Sequence, residues 1–159
     1  MPPLAIKKAR LADLSPYPGN PRRGNIEAIA ESLETNGQYR PIVVQKSTNV
    51  ILAGNHTAEA AKHLGWKDVQ AVYVDVDDAE ARRIVLADNR TADLGYYDTD
   101  ALLALLADVP DLTGTGYAED DYKRLAQDVD IPLDLPDAFP EFDLDIPTDH
   151  QCPKCGFEW

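Results

Sequence analysis

The sequence predicts an α+β fold in which a small sheet carries helices. Three segments rich in β-branched residues, at 41–46, 50–54 and 69–76, have the composition of strands. Segments with apolar residues at helical spacing lie between and after them. The hydrophobic fraction of 44% is ordinary for a globular core, and 159 residues suit one compact domain with a small appendage.

The first predicted elements are a loop and a helix. Residues 11–24 are expected to form a loop, because they include three prolines and two glycines. Residues 25–36 are expected to form an amphipathic helix, since apolar side chains recur there every three or four positions. Asn25 is the expected N-cap of this helix, and Asn36-Gly37 is the expected stop.

The next segment predicts two strands and a second helix. "PIVVQK" (41–46) and "VILAG" (50–54) are expected to be strands joined by a turn at 47–49. An alanine-rich helix is then expected at about 56–64, ended by a glycine. The third strand, at 69–76, completes the predicted sheet.

The remainder of the chain is expected to be helical and then extended. Three further helices are predicted: 77–92 with Asp77 or Asp78 as cap, 97–109 opened by Asp98 or Thr99, and a short one at 117–129. Residues 131–149 carry four prolines and six acidic residues, which is typical of an extended linker.

Charge restricts the expected partners. The net charge is −13, and weak or no direct binding to duplex DNA is expected, because non-specific DNA affinity comes from basic residues that displace counterions. Residues 1–46 are nevertheless mildly basic, with seven basic and four acidic residues. The excess acid can also serve solubility alone. With no run of 18 apolar residues and no signal-peptide pattern, the expected location is the cytoplasm, with no membrane contact.

The turn in "VILAGNHTAEAAKHLGW" (50–66) is the first candidate site. Gly54 allows a sharp turn and close approach of a ligand, and the N-terminus of the following helix suits an anion. His56 and Thr57 have side chains that donate hydrogen bonds to phosphate oxygens. The alternative is structural, with Asn55 capping the helix and His56 exposed to solvent.

Two further polar clusters have functional and structural interpretations. In "ADNRTADLG" (87–95), Asp88 and Asn89 suit a hard cation such as Mg²⁺, while Arg90 either faces a phosphate or pairs with Asp93. The cluster can equally be a solvated helix end. In "GNPRRG" (19–24) two arginines suit bidentate phosphate contacts, although exposed loop arginines are common.

Taken together, the three clusters resemble the ParB/sulfiredoxin-like domain family over about residues 11–106. The similarity includes Asn20-Pro21-Arg22, then "AESLETNGQYRP" and "IVV" (42–44), and Gly54-Asn55-His56-Thr57 in place of the family's phosphate-binding turn. Asp88-Asn89 resembles the family's Mg²⁺-holding step. The pattern is most similar to stand-alone ParB-like proteins of bacteriophages and to the N-terminal domain of phage ParB–methyltransferase fusions.

This resemblance implies a small mixed sheet flanked by helices, with a helical extension, that binds CTP or ATP with Mg²⁺. The implied organisation is a nucleotide-binding domain at 1–110, a helical extension at 111–130, the linker at 131–149 and a tail at 150–159. The implied metal ligands are Asp88 and Asn89. The implied nucleotide contacts come from Asn20, Arg22, Arg23, Gln38, Gly54, Asn55, His56, Thr57 and Arg90.

The expected function is a phage-type nucleotide-binding module in DNA metabolism or modification, acting with a protein partner. Some 50 residues follow the similar region, too acidic and proline-rich for the DNA-binding and dimerisation domains of ParB proteins, so DNA segregation alone is not expected. Asn55 stands where sulfiredoxins have a cysteine, which argues against that reaction. One alternative is a kinase or NTPase with Glu59 or Asp88 as general base. A metal-dependent nuclease is the second.

The last motif is "HQCPKCGFEW" (150–159). The spacing of Cys152 and Cys155 is that of a zinc-ligand pair or a redox motif. A structural zinc ion needs four ligands, and only His150 is a further strong ligand nearby. Three alternatives follow: a Cys₄ site shared by two copies in a homodimer, a weak site completed by a carboxylate such as Asp149, or a metal-free tail. The aromatic rings of Phe157 and Trp159 can equally make this tail a docking segment for a partner protein.

Overall fold

The computed structural model describes residues 4–129 and 151–157. The predicted linker at 131–149 lies outside these ranges, as do Asp149 and His150. Within the described ranges the elements, apart from a 3-10 turn at Leu11–Asp13, are β1 (Ile6–Arg10), β2 (Ser15–Pro16), α1 (Ile26–Asn36), β3 (Ile42–Gln45), β4 (Val50–Ala53), α2 (Asn55–His63), β5 (Asp68–Val74), α3 (Asp78–Asp93), α4 (Thr99–Asp108) and α5 (Glu119–Val129).

The sheet is mixed, and its strand order is β1-β5-β3-β4-β2. The β1–β5 and β3–β4 pairs are antiparallel, whereas β3–β5 and β2–β4 are parallel. In the β3–β4 register Val43 lies opposite Ala53. The first residues of β3 and the last residues of β4 therefore lie side by side at the same end of the two strands, where α2 begins.

Two of these strands differ from the sequence prediction. β1 was not predicted, and β2 lies inside the segment 11–24, which was predicted to be a loop. Only Ala9 of β1 is buried, so this strand lacks the clear apolar alternation that reveals a strand. Pro16 is accommodated because β2 is an edge strand, where proline's missing N–H leaves no ladder bond unmade.

Helices cover both faces of the sheet. Successive residues of β4 point to opposite faces: Ile51 packs in the core formed with α1 and α2, and Leu52 packs with Ala81 and Val85 of α3. The inner positions of α2 are occupied by alanines, which lets this helix lie close to the sheet. The α+β prediction is thus confirmed, and α2 and α3 lie on opposite faces of β4. No helix in the described ranges is long and apolar enough to cross a lipid bilayer.

Capping residues begin three of the helices. The side chain of Asn25 accepts from the N–H of Ala28, and that of Asp98 accepts from the N–H of Ala101. Asp77 forms a full capping box with Glu80 at the start of α3. These bonds confirm the predicted cap at Asn25. They also show that α3 is capped by Asp77, not Asp78, and that α4 is capped by Asp98, not Thr99.

We expect Asp77→Ala to lower the free energy of unfolding by about 0.5–2 kcal/mol, because the N–H groups of Ala79 and Glu80 lose their acceptor. Urea denaturation followed by circular dichroism measures this change. Asp77→Asn is the matched control, since asparagine caps helices about as well as aspartate. Equal destabilisation by both substitutions would contradict the capping role.

Candidate functional site

The turn between β4 and α2 is built around Gly54. Its φ of +83° is left-handed, and a Cβ placed there would lie 2.7 Å from Cγ2 of the buried Ile42. Gly54 is the N-cap residue of α2 and supplies no side-chain acceptor. The first N–H groups of α2 therefore lack a side-chain cap, which leaves the positive end of the helix suited to an anion.

Asn55 has a structural role, but it is not the helix cap that the structural interpretation of the sequence expected. It lies in the first turn of α2, so it is not the N-cap residue. Its Oδ1 accepts from the N–H of Tyr17 at 2.8 Å, and its Nδ2 donates to the carbonyl of Ile51 at 3.2 Å. The side chain thus ties the loop after β2 to β4, and both polar atoms of its amide bond to the backbone.

His56 joins α2 to the loop at 19–24. Its Nε2 accepts from the N–H of Gly24 at 3.1 Å, which requires a neutral ring with the proton on Nδ1. A Cβ on Gly24 would lie 2.7 Å from Cγ of this imidazole, so only glycine allows the backbone to approach the ring so closely. Gly24 was not predicted as a site residue. The expected donor role of His56 is left to Nδ1.

The two loop arginines, Arg22 and Arg23, bond to different parts of the molecule. Nη1 of Arg22 donates to the carbonyl of Asn89 at 3.1 Å and to Oδ1 of Asp93 at 2.9 Å. Asn20 supports this contact, since its Oδ1 lies 3.4 Å from Nδ2 of Asn89. Arg23 instead bonds to backbone carbonyls of its own loop. Arg22 therefore docks the loop on α3, and Asp93 pairs with Arg22 rather than with Arg90.

Residues of α3 form the facing wall. The carboxylate of Asp88 lies 3.6 Å from the guanidinium of Arg40, in an ion pair open to solvent. Asn89 follows it along the same wall. Arg90 is exposed and does not border this cavity.

These groups enclose a cavity of about 520 Å³, within the range typical of sites for small molecules. Nine of the predicted residues border it: Asn20, Arg22, Gln38, Gly54, Asn55, His56, Thr57, Asp88 and Asn89. Apolar side chains such as Ile29 and Leu33 of α1 also line it. The three separate sequence clusters therefore meet at one place.

Gln38 borders the cavity, but its amide is committed to the backbone. Its Nε2 donates to the carbonyls of Arg40 and Gln70, and its Oε1 accepts from the N–H of Gln70 at 2.6 Å. This arrangement holds the segment before β3 against β5. Gln38 consequently shapes the wall of the site rather than presenting a polar group to it.

Two other predicted residues lie in a neighbouring depression of about 490 Å³. Arg23 and Glu59 border that depression and not the main cavity. Asn20, Arg22 and His56 stand between the two spaces and border both. Of the two candidate general bases, Asp88 is thus the one that faces the main cavity.

Sequence reasoning missed Arg40, Thr115 and Gly116, which also border the cavity. The segment that carries the last two is held against α1, because the N–H of Gly114 donates to Glu31 and its carbonyl accepts from Asn36. The Gly-rich run "TGTGY" (113–117) is a feature of the sequence that is typical of a loop near a ligand. Because it lies about 60 residues after the Gly54 turn, the sequence did not indicate that it borders the same cavity.

The two cysteines lie in the described segment 151–157 and are not disulfide-bonded. Backbone N–H groups of Lys154 and then of Cys155 donate to the thiol of Cys152 and hold its pKa below the ordinary value. No group of three or more His, Cys, Asp or Glu side chains suited to a metal ion occurs among residues 4–129 and 151–157.

Partitioning and nucleoid occlusion proteins are among the known proteins to which this sequence is similar. The profile of the ParB N-terminal domain matches residues 4–90. A probable plasmid-partitioning protein ParB of Thermus thermophilus is 36% identical over 102 residues, which are 60% of this chain and 34% of that protein. A nucleoid occlusion protein of Oceanobacillus iheyensis is 35% identical over 68 residues, or 40% of this chain and 24% of that one. The chain thus spans about a third or less of the length of these relatives.

Two solved structures share the fold. One is a C-terminally truncated chromosome-partitioning protein ParB of Caulobacter crescentus complexed with CTP-γ-S, with a TM-score of 0.55, 21% identity, and coverage of 76% of this chain and 70% of that one. The other is a Pnob8-like ParB-N domain, with a TM-score of 0.50, 14% identity, and coverage of 80% and 62%.

The matched residues 4–90 are more than half of the 159-residue chain. They include the Gly54 turn, the arginine loop and the Asp88-Asn89 step that together border the cavity. The resemblance found in the motifs is therefore confirmed: this chain belongs to the ParB N-terminal domain family.

Proposed function

We propose that this chain binds a nucleoside triphosphate with Mg²⁺ in the 520 Å³ cavity and acts as a nucleotide-binding module in phage-type DNA metabolism or modification, with a protein partner. The observation that carries the proposal is the convergence of three distant segments. The uncapped N-terminus of α2, the loop bearing Arg22 and the Asp88-Asn89 step border the same space.

The phosphates are assigned to the α2 end of the cavity. The helix N-terminus offers backbone donors and a positive dipole there. The Nδ1–H of His56 and the hydroxyl of Thr57 are additional donors, because Nε2 of His56 is already used by Gly24. Arg22 supplies a positive charge at the loop side, since only part of its guanidinium is used in its bonds to α3.

Asp88 fits the requirements of a magnesium site that the nucleotide completes. Mg²⁺ in nucleotide sites is commonly held by one or two carboxylates, with phosphate oxygens and water filling the other positions. Asp88 borders the cavity and is only loosely paired with Arg40, so its oxygens are available, and Asn89 adds an amide oxygen beside it. When bound, the ion would neutralise phosphate charge near this acidic wall.

The proposal is tested by calorimetric titration of the full chain with CTP and ATP, each with and without Mg²⁺. CTP is the first choice, because the Caulobacter relative was crystallised with CTP-γ-S. Saturable binding of at least one nucleotide at one site per chain supports the proposal. Failure of both nucleotides to bind folded protein at millimolar concentration would overturn it.

We expect Mg²⁺ removal and Asp88→Asn to weaken nucleotide binding without adding to each other, with an interaction energy of about 0.5–3 kcal/mol, because both changes remove one shared ion contact. Calorimetry on the four combinations measures this energy. Asp108→Asn at the exposed end of α4 is the control for a general charge effect and should leave affinity unchanged. Strictly additive losses would count against an ion at Asp88.

A kinase or NTPase activity in the same pocket is the second candidate, favoured by the position of Asp88 on the cavity wall. Nucleoside diphosphate release that depends on an added phosphate acceptor would identify a kinase, and release without an acceptor would identify an NTPase. Binding without turnover supports the module alone. Metal-dependent DNA nicking that persists through rigorous purification would instead identify the nuclease alternative.

A further inference from the structure

The nucleotide cavity has a second end, which the proposed phosphate contacts do not use. The ring of His56 lies beside the start of α1, where it accepts from the N–H of Gly24. From there the cavity follows α1, because it is bordered by residues along one side of that helix: Asn25, Ala28, Ile29, Ser32 and Leu33. At 1.5 Å per residue, Asn25 and Ser32 are about 10 Å apart along the helix axis. The cavity therefore extends from the phosphate end toward the C-terminal end of α1.

Tyr39 lies at this second end. It comes two positions after Gly37, the residue that ends α1, and it borders the cavity. Its side chain is 76% exposed, so the ring is not packed in the core. An aromatic ring in this position offers a flat face on which a nucleobase can stack, because every base has a π-face of its own.

The turn at 113–117 is fixed against the same part of α1. The N–H of Gly114 donates to Oε1 of Glu31 at 3.1 Å, and its carbonyl accepts from Nδ2 of Asn36 at 3.0 Å. Gly114 is buried with a φ of +75°, and a Cβ there would lie 2.6 Å from Cβ of Thr35. Only glycine allows the backbone of the turn to lie this close to the helix.

The docked turn presents backbone groups to the cavity. The hydroxyl of Thr115 is used within the turn, since it donates to the carbonyl of Leu112 at 2.6 Å. Thr115 and Gly116 border the cavity, and their peptide groups are the kind of donor and acceptor that fixes the orientation of a bound ligand. Asn36, which holds the turn, precedes Tyr39 by only three residues. The turn and the tyrosine therefore lie at the same end of the cavity.

We propose that Tyr39 and the turn at 113–117 form the nucleobase end of the site, with the base stacked on the Tyr39 ring and its polar edge against the backbone of the turn. This inference rests on the proposed nucleotide site. A nucleotide whose phosphates lie at the α2 end directs its sugar and base along α1, toward the ring and the turn. The turn lies outside residues 4–90, so the family match does not account for this wall of the cavity.

The test separates base contacts from phosphate contacts by comparing a nucleotide with inorganic tripolyphosphate, which has no base. The full chain is titrated calorimetrically with tripolyphosphate and with CTP or ATP, whichever binds more tightly, in the presence of Mg²⁺. We expect Tyr39→Ala to raise the Kd of the nucleotide by about 5- to 150-fold and to leave the Kd of tripolyphosphate unchanged. Tyr39→Phe keeps the ring and should retain both affinities.

Two further variants complete the experiment. Tyr96→Ala is the matched control, because Tyr96 is 94% exposed and does not border the cavity, and it should change neither affinity. Asn36→Ala removes a bond that positions the turn, so it should weaken nucleotide binding more than tripolyphosphate binding. Circular dichroism establishes that each variant is folded.

Unchanged nucleotide affinity in folded Tyr39→Ala protein would overturn the base stacking and leave the proposed nucleotide site intact. An equal loss for nucleotide and tripolyphosphate would also overturn it, because the ring would then not act on the base. Failure of tripolyphosphate to bind the wild-type chain would overturn the phosphate assignment from which the direction of the nucleotide follows. Failure of both nucleotides to bind the wild-type chain would overturn the proposed function, and this inference with it.

Discussion

Replacing Gly54 with alanine is expected to lower the free energy of unfolding by about 2–5 kcal/mol. Two effects add at this position. A left-handed backbone, here with φ of +83°, is unfavourable for a residue with a Cβ. The new methyl group would also lie 2.7 Å from Cγ2 of Ile42, a side chain only 1% exposed that cannot easily move.

Gly65→Ala separates these two effects. Gly65 has a similar φ of +75°, but a Cβ there would meet nothing within 4 Å. Its substitution should therefore cause only the backbone part of the loss, about 1–2 kcal/mol. Urea denaturation of both variants gives the comparison. If Gly54→Ala is no more destabilising than Gly65→Ala, then Ile42 does not restrict the turn.

Replacing His56 with alanine is expected to weaken nucleotide binding by about 1–3 kcal/mol, or roughly 5- to 150-fold in Kd. The imidazole has two roles at the proposed phosphate end of the cavity. Its Nδ1–H faces the nucleotide as a donor in the proposed complex, and its Nε2 holds the N–H of Gly24 and with it the arginine loop. Alanine removes both, and calorimetry with the preferred nucleotide measures the loss.

His63→Ala is the matched control for this prediction. His63 is exposed at the last turn of the same helix and does not border the cavity. Its substitution should leave nucleotide affinity unchanged. Circular dichroism must show that both variants keep the fold. Unchanged affinity in folded His56→Ala protein would remove His56 from the site.

The helices were predictable because their signals are local. The caps at Asn25, Asp77 and Asp98 bond to backbone groups two or three residues away, so the sequence alone contains both partners. The hairpin strands β3 and β4 were predictable for the same reason, since β-branched residues flank a short turn. The predicted boundaries of these elements lie within two residues of the observed ones, as is usual at fraying ends.

The edge strands were not predictable in this way. β1 pairs with β5, which lies about 60 residues further along the chain, and most of its side chains are exposed. β2 consists of two residues in a proline-rich stretch, and it is a strand only because Val50 and Ile51 lie beside it. Their hydrogen-bond partners are distant in sequence, so no local pattern reveals them.

The sequence by itself determined the fold class, the family and the residue types at the site: the glycine turn, the arginine loop and the acidic step of α3. The tertiary structure decided which of those residues face one cavity. It placed Arg22 on α3 and left Arg23 in its own loop, directed Asn55 to the backbone of Tyr17, and brought Thr115 to the cavity. The physical reason is that the direction of a loop side chain depends on contacts with elements 30 to 80 residues away, which neither helical nor strand periodicity encodes.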